Sequence, residues 1–209
     1  MGIAIRPGTH DDLGEIVAIY NHYVLRTPVT FDLEAVTAAD RAGWLDEHRA
    51  PGSHRIVVAT GAGKEVVGWA TTSAFRPRAG YSTTVEASIY LRPDQCGRGL
   101  GTRLYAHLFR SVQHEPIERI VAGITLPNPA SEALHRRFGF RRIGVFTRIG
   151  RKFDRFWDVA WFERDREERS RPRNSGDRCR GPGAGRGEER ALGPHFQPRA
   201  AVGAEDHPR

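Results

Sequence analysis

The alternation of apolar and polar residues divides the first 164 residues into short elements. Strand-like runs predict β-strands at residues 3–6, 55–60, 65–75, 85–91, 119–125, 140–149 and 153–162. Helical spacing predicts helices capped by Thr9, Thr37 and Asn128, and a fourth over 99–112. The order β-α-α-β-β-β-α-β-α-β-β predicts an α/β (α+β) fold, with helices on both faces of a mixed sheet.

The composition changes near residue 164, which sets the predicted boundary of this domain. Residues 165–209 hold 7 Gly, 5 Pro, 10 Arg and 8 acidic residues, and few large apolar ones. Such a segment cannot bury enough surface to offset its chain entropy. We therefore predict one domain over 1–164 and a disordered Arg/Gly/Pro-rich tail over 165–209.

Charge and cysteine content narrow the classes of partner. Lys+Arg outnumber Asp+Glu by 32 to 25, but the basic residues are scattered, so we do not expect a nucleic-acid partner. Cys96 and Cys179 lie far apart and predict neither a disulfide framework nor a metal site. The sequence has no signal-peptide pattern and no membrane-spanning run, so a cytoplasmic protein is expected.

A glycine-rich turn between a predicted strand and a predicted helix is the most informative segment. Gly97, Gly99 and Gly101 alternate around the start of the helix at 99–112. Free amides at a helix N-terminus can bind a phosphate, and glycines let the backbone approach it closely. The pattern is neither a P-loop nor, with Thr102 in place of a third glycine, the dinucleotide fingerprint. An ordinary glycine-rich turn fits this segment equally well.

This turn, Cys96-Gly97-Arg98-Gly99-Leu100-Gly101, resembles the acetyl-CoA motif Gln/Arg-x-x-Gly-x-Gly/Ala of the GNAT N-acetyltransferases. It departs at the first position, where Cys96 replaces Gln or Arg and Gln95 could substitute. Further segments resemble the phosphinothricin and methionine-sulfoximine N-acetyltransferase subfamily over residues 3–163. They are Ile19–Tyr23, Val29–Phe31, Phe75–Arg78, Gly80–Tyr81, Val85–Leu91, Leu126–Asn128, Leu134–His135 and Trp157–Val159.

The resemblance implies a cofactor site. The family's sheet is splayed between the fourth and fifth strands, and the pantetheine arm of acetyl-CoA, the expected co-substrate, would lie in that splay. No metal is expected. The cofactor-binding residues implied are Ile89, Tyr90, Leu91, Gly97, Arg98, Gly99, Leu100, Gly101, Thr102, Asn128 and Ser131.

The resemblance also implies roles in chemistry. An α-amine with a pKa of about 8 is largely protonated near neutral pH, so its attack on a thioester needs a base. Glu86, on the strand that leads into the turn, is the implied base and a substrate contact, and His135 is expected near the departing thiolate. Phe31, Arg76, Arg78 and Tyr81 are implied near a small amino-acid-like substrate, in a homodimer. The planar guanidinium groups of Arg76 and Arg78 can form paired hydrogen bonds with the polar groups of this substrate.

Most of these residues also have an ordinary structural interpretation. Glu86 could be a solvated strand glutamate, Asn128 an N-cap and His135 a surface histidine, while Arg76 and Arg78 could be ordinary surface arginines. The function expected is N-acetylation of an amino acid analogue such as phosphinothricin, methionine sulfoximine or methionine sulfone. Alternatives are acetylation of another small amine or a protein N-terminus, or a non-catalytic module that binds CoA or nucleic acid.

Overall fold

The computed structural model of the chain describes residues 2–165. Its strands are β1 (Ala4–Pro7), β2 (Arg55–Thr60), β3 (Val66–Ala74), β4 (Thr84–Leu91), β5 (Arg119–Thr125), β6 (Arg141–Lys152) and β7 (Arg155–Asp165). Its helices are α1 (Leu13–Arg26), α2 (Ala38–Arg49), α3 (Leu100–Ser111) and α4 (Pro129–Arg137). The predicted fold class and the order of these elements are confirmed. The predicted tail, apart from Asp165, lies outside the described residues.

The seven strands form one mixed sheet in the order β1-β2-β3-β4-β5-β7-β6. All neighbours are antiparallel except β4 and β5, which are parallel. That parallel pair is short, because it joins only Thr84–Glu86 to Arg119–Val121. The rest of β4 and β5 is therefore unpaired along the edges that face each other, at the centre of the sheet.

The sheet has a core on each face, as the strand periodicity requires. On one face α1 and α2 pack against Ile56, Val58 and Trp69. On the other face the apolar stripe of α3 packs against Val57 and Ala59, together with β4 and β5. The short β4–β5 pair thus lies in a sheet that is covered by helices on both faces.

The start of the first helix differs from the prediction. Thr9 caps a single 3-10 turn, His10–Asp12, and α1 begins only at Leu13. The cause is the carboxylate of Asp12, which accepts hydrogen bonds from the Thr9 amide (2.8 Å) and hydroxyl (2.9 Å) and pairs with Arg6. Arg6 and the two Thr9 donors lower the pKa of Asp12, although its burial opposes this.

Candidate active site

The glycine turn has the backbone conformation that its sequence predicts. Gly97 and Gly99 have φ of 74° and 76°, in the left-handed region that disfavours residues with a Cβ. Gly99 is the N-cap of α3 and its carbonyl accepts the amide of Arg103 at 3.3 Å. The earlier amides of the helix are left free by the helical pattern, so the positive end of α3 is available to an anion.

A cleft of about 570 Å³ extends from this turn into the opening between β4 and β5, and we call it the cofactor cleft. One wall is the edge of β4 from Ala87 to Leu91, and the opposite wall is the end of β5 and the first turns of α4. The predicted cofactor residues that line it are Ile89, Tyr90, Leu91, Gly97, Gly99, Gly101, Thr102, Asn128 and Ser131.

Two predicted cofactor residues are placed differently. The side chain of Leu100 is 4 % exposed and lies in the core under α3, so only its backbone is available to a ligand. Arg98 is exposed on the turn, outside the set of side chains that line the cleft. Cys96, which replaces the family's Gln or Arg, does line the cleft and is exposed.

The α4 residues of the cleft are fixed by hydrogen bonds within the first turns of the helix. Asn128 is the N-cap, since its Oδ1 accepts the amide of Ser131 at 3.1 Å, and Pro129 occupies the first helical position. His135 is 3 % exposed, which contradicts its interpretation as a surface histidine. Burial lowers its pKa, against the opposing effect of the Ser131 backbone.

The hydrogen bonds of His135 assign its tautomer and identify a residue that the sequence did not reveal. Its Nδ1 lies 2.8 Å from the Ser131 carbonyl oxygen, which only accepts, so Nδ1 carries the proton. Its Nε2 then accepts from the hydroxyl of Tyr105 at 3.0 Å. Tyr105, on α3, is fully buried, yet it contributes to the lining of the cofactor cleft. The one available signal was a tyrosine adjoining the apolar stripe of α3.

A second unpredicted contact holds the β4 wall. The hydroxyl of Tyr23 donates to the carbonyl oxygen of Leu91 at 2.6 Å, at the point where β4 ends. Tyr23 also lines the cofactor cleft. Burial is the main cause of its raised pKa, so the phenol stays protonated and keeps donating to this carbonyl.

Glu86 is half-buried on β4, and its side chain lines neither of the two cavities that its neighbours line. Ala87 and Ser88, which follow it, line the cofactor cleft, while Thr84, two residues before it, lines the second cavity. Burial raises the pKa of Glu86, and the charge of Arg76 partly offsets this increase. This burial distinguishes Glu86 from a fully solvated surface glutamate.

The second cavity has a volume of about 400 Å³, and we call it the arginine cavity. Arg76, Arg78 and Tyr81 line it, so three of the predicted substrate residues lie together. Phe31 lies elsewhere: its ring covers Gly150, where any Cβ would overlap it. The loop that carries Phe31 is held to the same hairpin by a hydrogen bond from Lys152 Nζ to the Thr30 carbonyl oxygen (2.8 Å).

Two further kinds of site are absent from residues 2–165. These residues contain no group of three or more His, Cys, Asp and Glu side chains placed to hold a metal ion. In the same range, every helix is too short or too polar to cross a membrane.

Comparison with known proteins gives the family. Residues 16–140 match the acetyltransferase (GNAT) family. A phosphinothricin N-acetyltransferase of Streptomyces coelicolor is 47% identical over 163 residues, which cover 78% of this chain and 95% of that protein. An L-methionine sulfoximine/L-methionine sulfone acetyltransferase of Pseudomonas paraeruginosa is 38% identical, over 78% and 94% of the two chains.

A solved structure agrees with these relatives. The GNAT phosphinothricin acetyltransferase of Sinorhizobium meliloti, in complex with AcCoA, superposes with a TM-score of 0.74 at 32% identity. The similarity covers 79% of this chain and 89% of that one. The mixed sheet with its central opening and glycine turn is thus that of an acyltransferase. The chain belongs to the GNAT family and is an acetyl-CoA-dependent N-acetyltransferase.

Proposed function

We propose that this enzyme acetylates the α-amine of a small amino acid with an oxygenated side chain, such as phosphinothricin, methionine sulfoximine or methionine sulfone. The observation that carries the proposal is the position of the half-buried Glu86 on β4, next to Ala87 and Ser88 of the cofactor cleft and two residues from Thr84 of the arginine cavity. Relatives named for these substrates support the choice of amine.

The residues of the cofactor cleft fit acetyl-CoA. The left-handed glycines at 97 and 99 and the free amides at the start of α3 suit the pyrophosphate. The unpaired edge of β4, Ile89 to Leu91, offers backbone groups to the amides of the pantetheine arm, with Asn128 and Ser131 facing it from α4. When bound, acetyl-CoA supplies the thioester carbonyl that the amine attacks.

Glu86 is proposed as the base that takes the proton of the amine, directly or through one water. An α-ammonium with a pKa of about 8 must lose a proton before its nitrogen has a free electron pair. Burial raises the pKa of Glu86 and so brings its proton affinity closer to that of the amine. The carboxylate would then pass the proton to solvent between turnovers.

The Tyr105–His135 pair is proposed to stabilise the departing thiolate. His135, the residue expected from the sequence, has its Nδ1 proton committed to Ser131 and its Nε2 facing Tyr105. The hydroxyl of Tyr105 rotates about its C–O bond and can donate either to Nε2 or to a group in the cleft. Replacing Tyr105 by Phe should lower kcat by about 10²-fold; an unchanged kcat would remove Tyr105 from this role.

The acceptor side, which is the part of the site that binds the amine substrate, is proposed to hold that substrate through charged side chains. Arg76 and Arg78 line the arginine cavity with exposed guanidinium groups, which can form paired hydrogen bonds with a carboxylate. Tyr81, in the same cavity, adds a hydroxyl. Phe31 lies outside the arginine cavity, on the loop fixed to the β6–β7 hairpin, and its contact with the substrate stays a prediction.

A homodimer through the edge strand β6 is also proposed. Five large apolar side chains are exposed on the β6–β7 hairpin, and they are Ile143, Phe146, Ile149, Phe153 and Phe156. An apolar sheet edge of this kind is typical of an interface. Light scattering should give twice the monomer mass, and Ile149→Glu should reduce it; a monomeric wild type would contradict the proposal.

A substrate panel tests the function. Purified protein with acetyl-CoA should release thiol with phosphinothricin, methionine sulfoximine or methionine sulfone, and not with peptides. Turnover of peptides alone would indicate an acetyltransferase for protein N-termini. Absence of thiol release with every amine would contradict the proposed substrate class.

A cytoplasmic location remains a prediction of the sequence.

A further inference from the structure

The indole of Trp161 carries a donor that the protein itself does not use. Among the buried side-chain nitrogen and oxygen atoms of residues 2–165, Trp161 Nε1 is the one that lacks a hydrogen-bond partner. Native proteins satisfy nearly all such donors, since an unmade hydrogen bond in a buried place is costly. An unused buried donor on a binding protein is therefore a candidate contact for a ligand.

The strand register places this indole on the same face of the sheet as Glu86. Glu86 is opposite Val121 on β5, and Trp161 on β7 is opposite Gly123. Residues opposite each other share a face, and so do residues two apart on one strand. Val121 and Gly123 therefore connect the base on β4 to the indole on β7 across one strand.

Gly123 leaves the space between them open. A Cβ at this glycine would lie 3.6 Å from Cζ2 and Cη2 of the indole, so the ring lies directly over the β5 backbone. Cζ2 belongs to the edge of the ring that carries Nε1. Gly123 also lines the cofactor cleft. The donor edge of Trp161 is thus next to the wall along which the reacting groups are proposed to meet.

A chain of aromatic contacts connects the indole to Tyr81, which lines the arginine cavity. Its ring centroid lies 5.9 Å from that of Phe75, and Phe75 lies 5.8 Å from Tyr81 of that cavity. On its other side the indole contacts Phe146, which is 52 % exposed and is one of the side chains proposed for the dimer interface. We call Phe75, Phe146 and Trp161 the aromatic wall; it is apolar except for one neutral donor.

We propose that Trp161 Nε1 donates a hydrogen bond to an oxygen of the substrate's side chain, and so selects amino acids with a sulfonyl, sulfoximine or phosphinate group. The inference rests on the proposed function. A carboxylate with full charge suits Arg76 and Arg78, whereas a neutral N–H suits a neutral or charge-delocalised oxygen. The methyl and methylene groups of such a side chain match the apolar faces of the aromatic wall.

Trp161→Phe tests this proposal, because it keeps an aromatic ring and removes the donor. The KM for methionine sulfone should rise about tenfold with kcat nearly unchanged. Methionine, which lacks the oxygens, should bind both proteins equally, as a substrate or as a competitive inhibitor. An unchanged KM for the sulfone overturns the proposal, and so does an equal loss of affinity for methionine.

Trp157→Phe is the matched control on the same strand. Trp157 Nε1 already donates to the Lys152 carbonyl oxygen at 2.9 Å, so its removal should lower Tm and leave the preference between sulfone and methionine unchanged. Both variants lose the same ring volume, so Trp161→Phe should lower Tm less than Trp157→Phe, which also loses an internal hydrogen bond. A fall in Tm equal to that of the control would show an internal partner and overturn the proposal.

The two proposals can fail separately. If the wild type does not turn over or bind any oxygenated amino acid, the proposed function fails. The Tm comparison then still decides whether Trp161 holds an unused donor. If the wild type acetylates methionine sulfone and Trp161→Phe does so with the same KM, only the role of Trp161 fails.

Discussion

The cofactor cleft and the acceptor side of this enzyme are built from different materials. The cofactor cleft consists of the edge of β4, the glycine turn and the starts of α3 and α4, and the contacts proposed there for the cofactor are mainly backbone groups. The acceptor side consists of side chains from separate segments: Arg76, Arg78, Tyr81 and the aromatic wall. Glu86 lies on β4 between residues that line the one and residues that line the other.

This difference separates what a family shares from what one enzyme selects. A backbone site tolerates changes of side chain, so Cys96 can replace a Gln or Arg at the turn while the amides of α3 remain. A side-chain site changes its preference with each substitution, because each donor or charge is supplied by one residue. The cofactor cleft therefore defines the reaction, and the acceptor side defines the amine.

The largest expected effect is at the junction of the two regions. Glu86→Gln keeps the shape of β4 and removes the base, so kcat should fall by about 10²–10⁴-fold. The dissociation constant of acetyl-CoA, measured by titration calorimetry, should change little, because the cofactor cleft is lined by the neighbouring residues. A parallel loss of cofactor affinity would place Glu86 inside the cofactor cleft. It would contradict the separation between cofactor binding and catalysis.

A smaller effect is expected at the glycine turn, in the affinity for the cofactor. Gly99→Val forces a branched residue into a left-handed conformation, at a cost of about 1–2 kcal/mol. A Cβ there meets no atom within 4 Å, so the effect is conformational and not steric. The dissociation constant for CoA should rise by roughly 5- to 30-fold, with the KM for the amine nearly unchanged.

Gly14→Ala is the control for this prediction. Gly14 is exposed on α1, where a Cβ also meets nothing within 4 Å and the backbone is helical. It should leave CoA affinity and turnover unchanged. If Gly99→Val behaves in the same way, the turn does not hold the cofactor through its backbone.

The cofactor cleft was predictable from the sequence because its signals are local. The strand, the alternating glycines and the helix follow one another within 85–112, and Asn128 with Pro129 identifies the start of α4. Glycine at positive φ and an N-cap asparagine act through their own backbone, so a short segment carries the information.

The remaining features depend on contacts between distant segments. Tyr105 and His135 are 30 residues apart, and their hydrogen bond follows from the packing of α3 beside α4. The surroundings of Trp161 are set by Gly123, opposite it on the neighbouring strand, and by the ring of Phe75. Even the start of α1 depended on Arg6, which holds the Asp12 carboxylate near Thr9. No local pattern encodes such pairs.

The smallest expected effect is a shift in pH dependence, and it sharpens the link between the acceptor side and the base. Burial raises the pKa of Glu86, and the positive charge of Arg76 partly offsets this by favouring the carboxylate. Arg76→Gln removes the offset, so the pKa of Glu86 rises further. Because the carboxylate is the active form, the acidic limb of kcat/KM should move to higher pH.

Arg78→Gln separates this electrostatic effect from substrate binding. Arg78 lines the same cavity as Arg76, but the charge that acts on Glu86 is that of Arg76. Both variants should lose affinity for the amine, and only Arg76→Gln should shift the acidic limb. The ionisation of the substrate amine is common to all three proteins, so it cancels in the comparison. Equal shifts in both variants would mean that the limb belongs to a group other than Glu86.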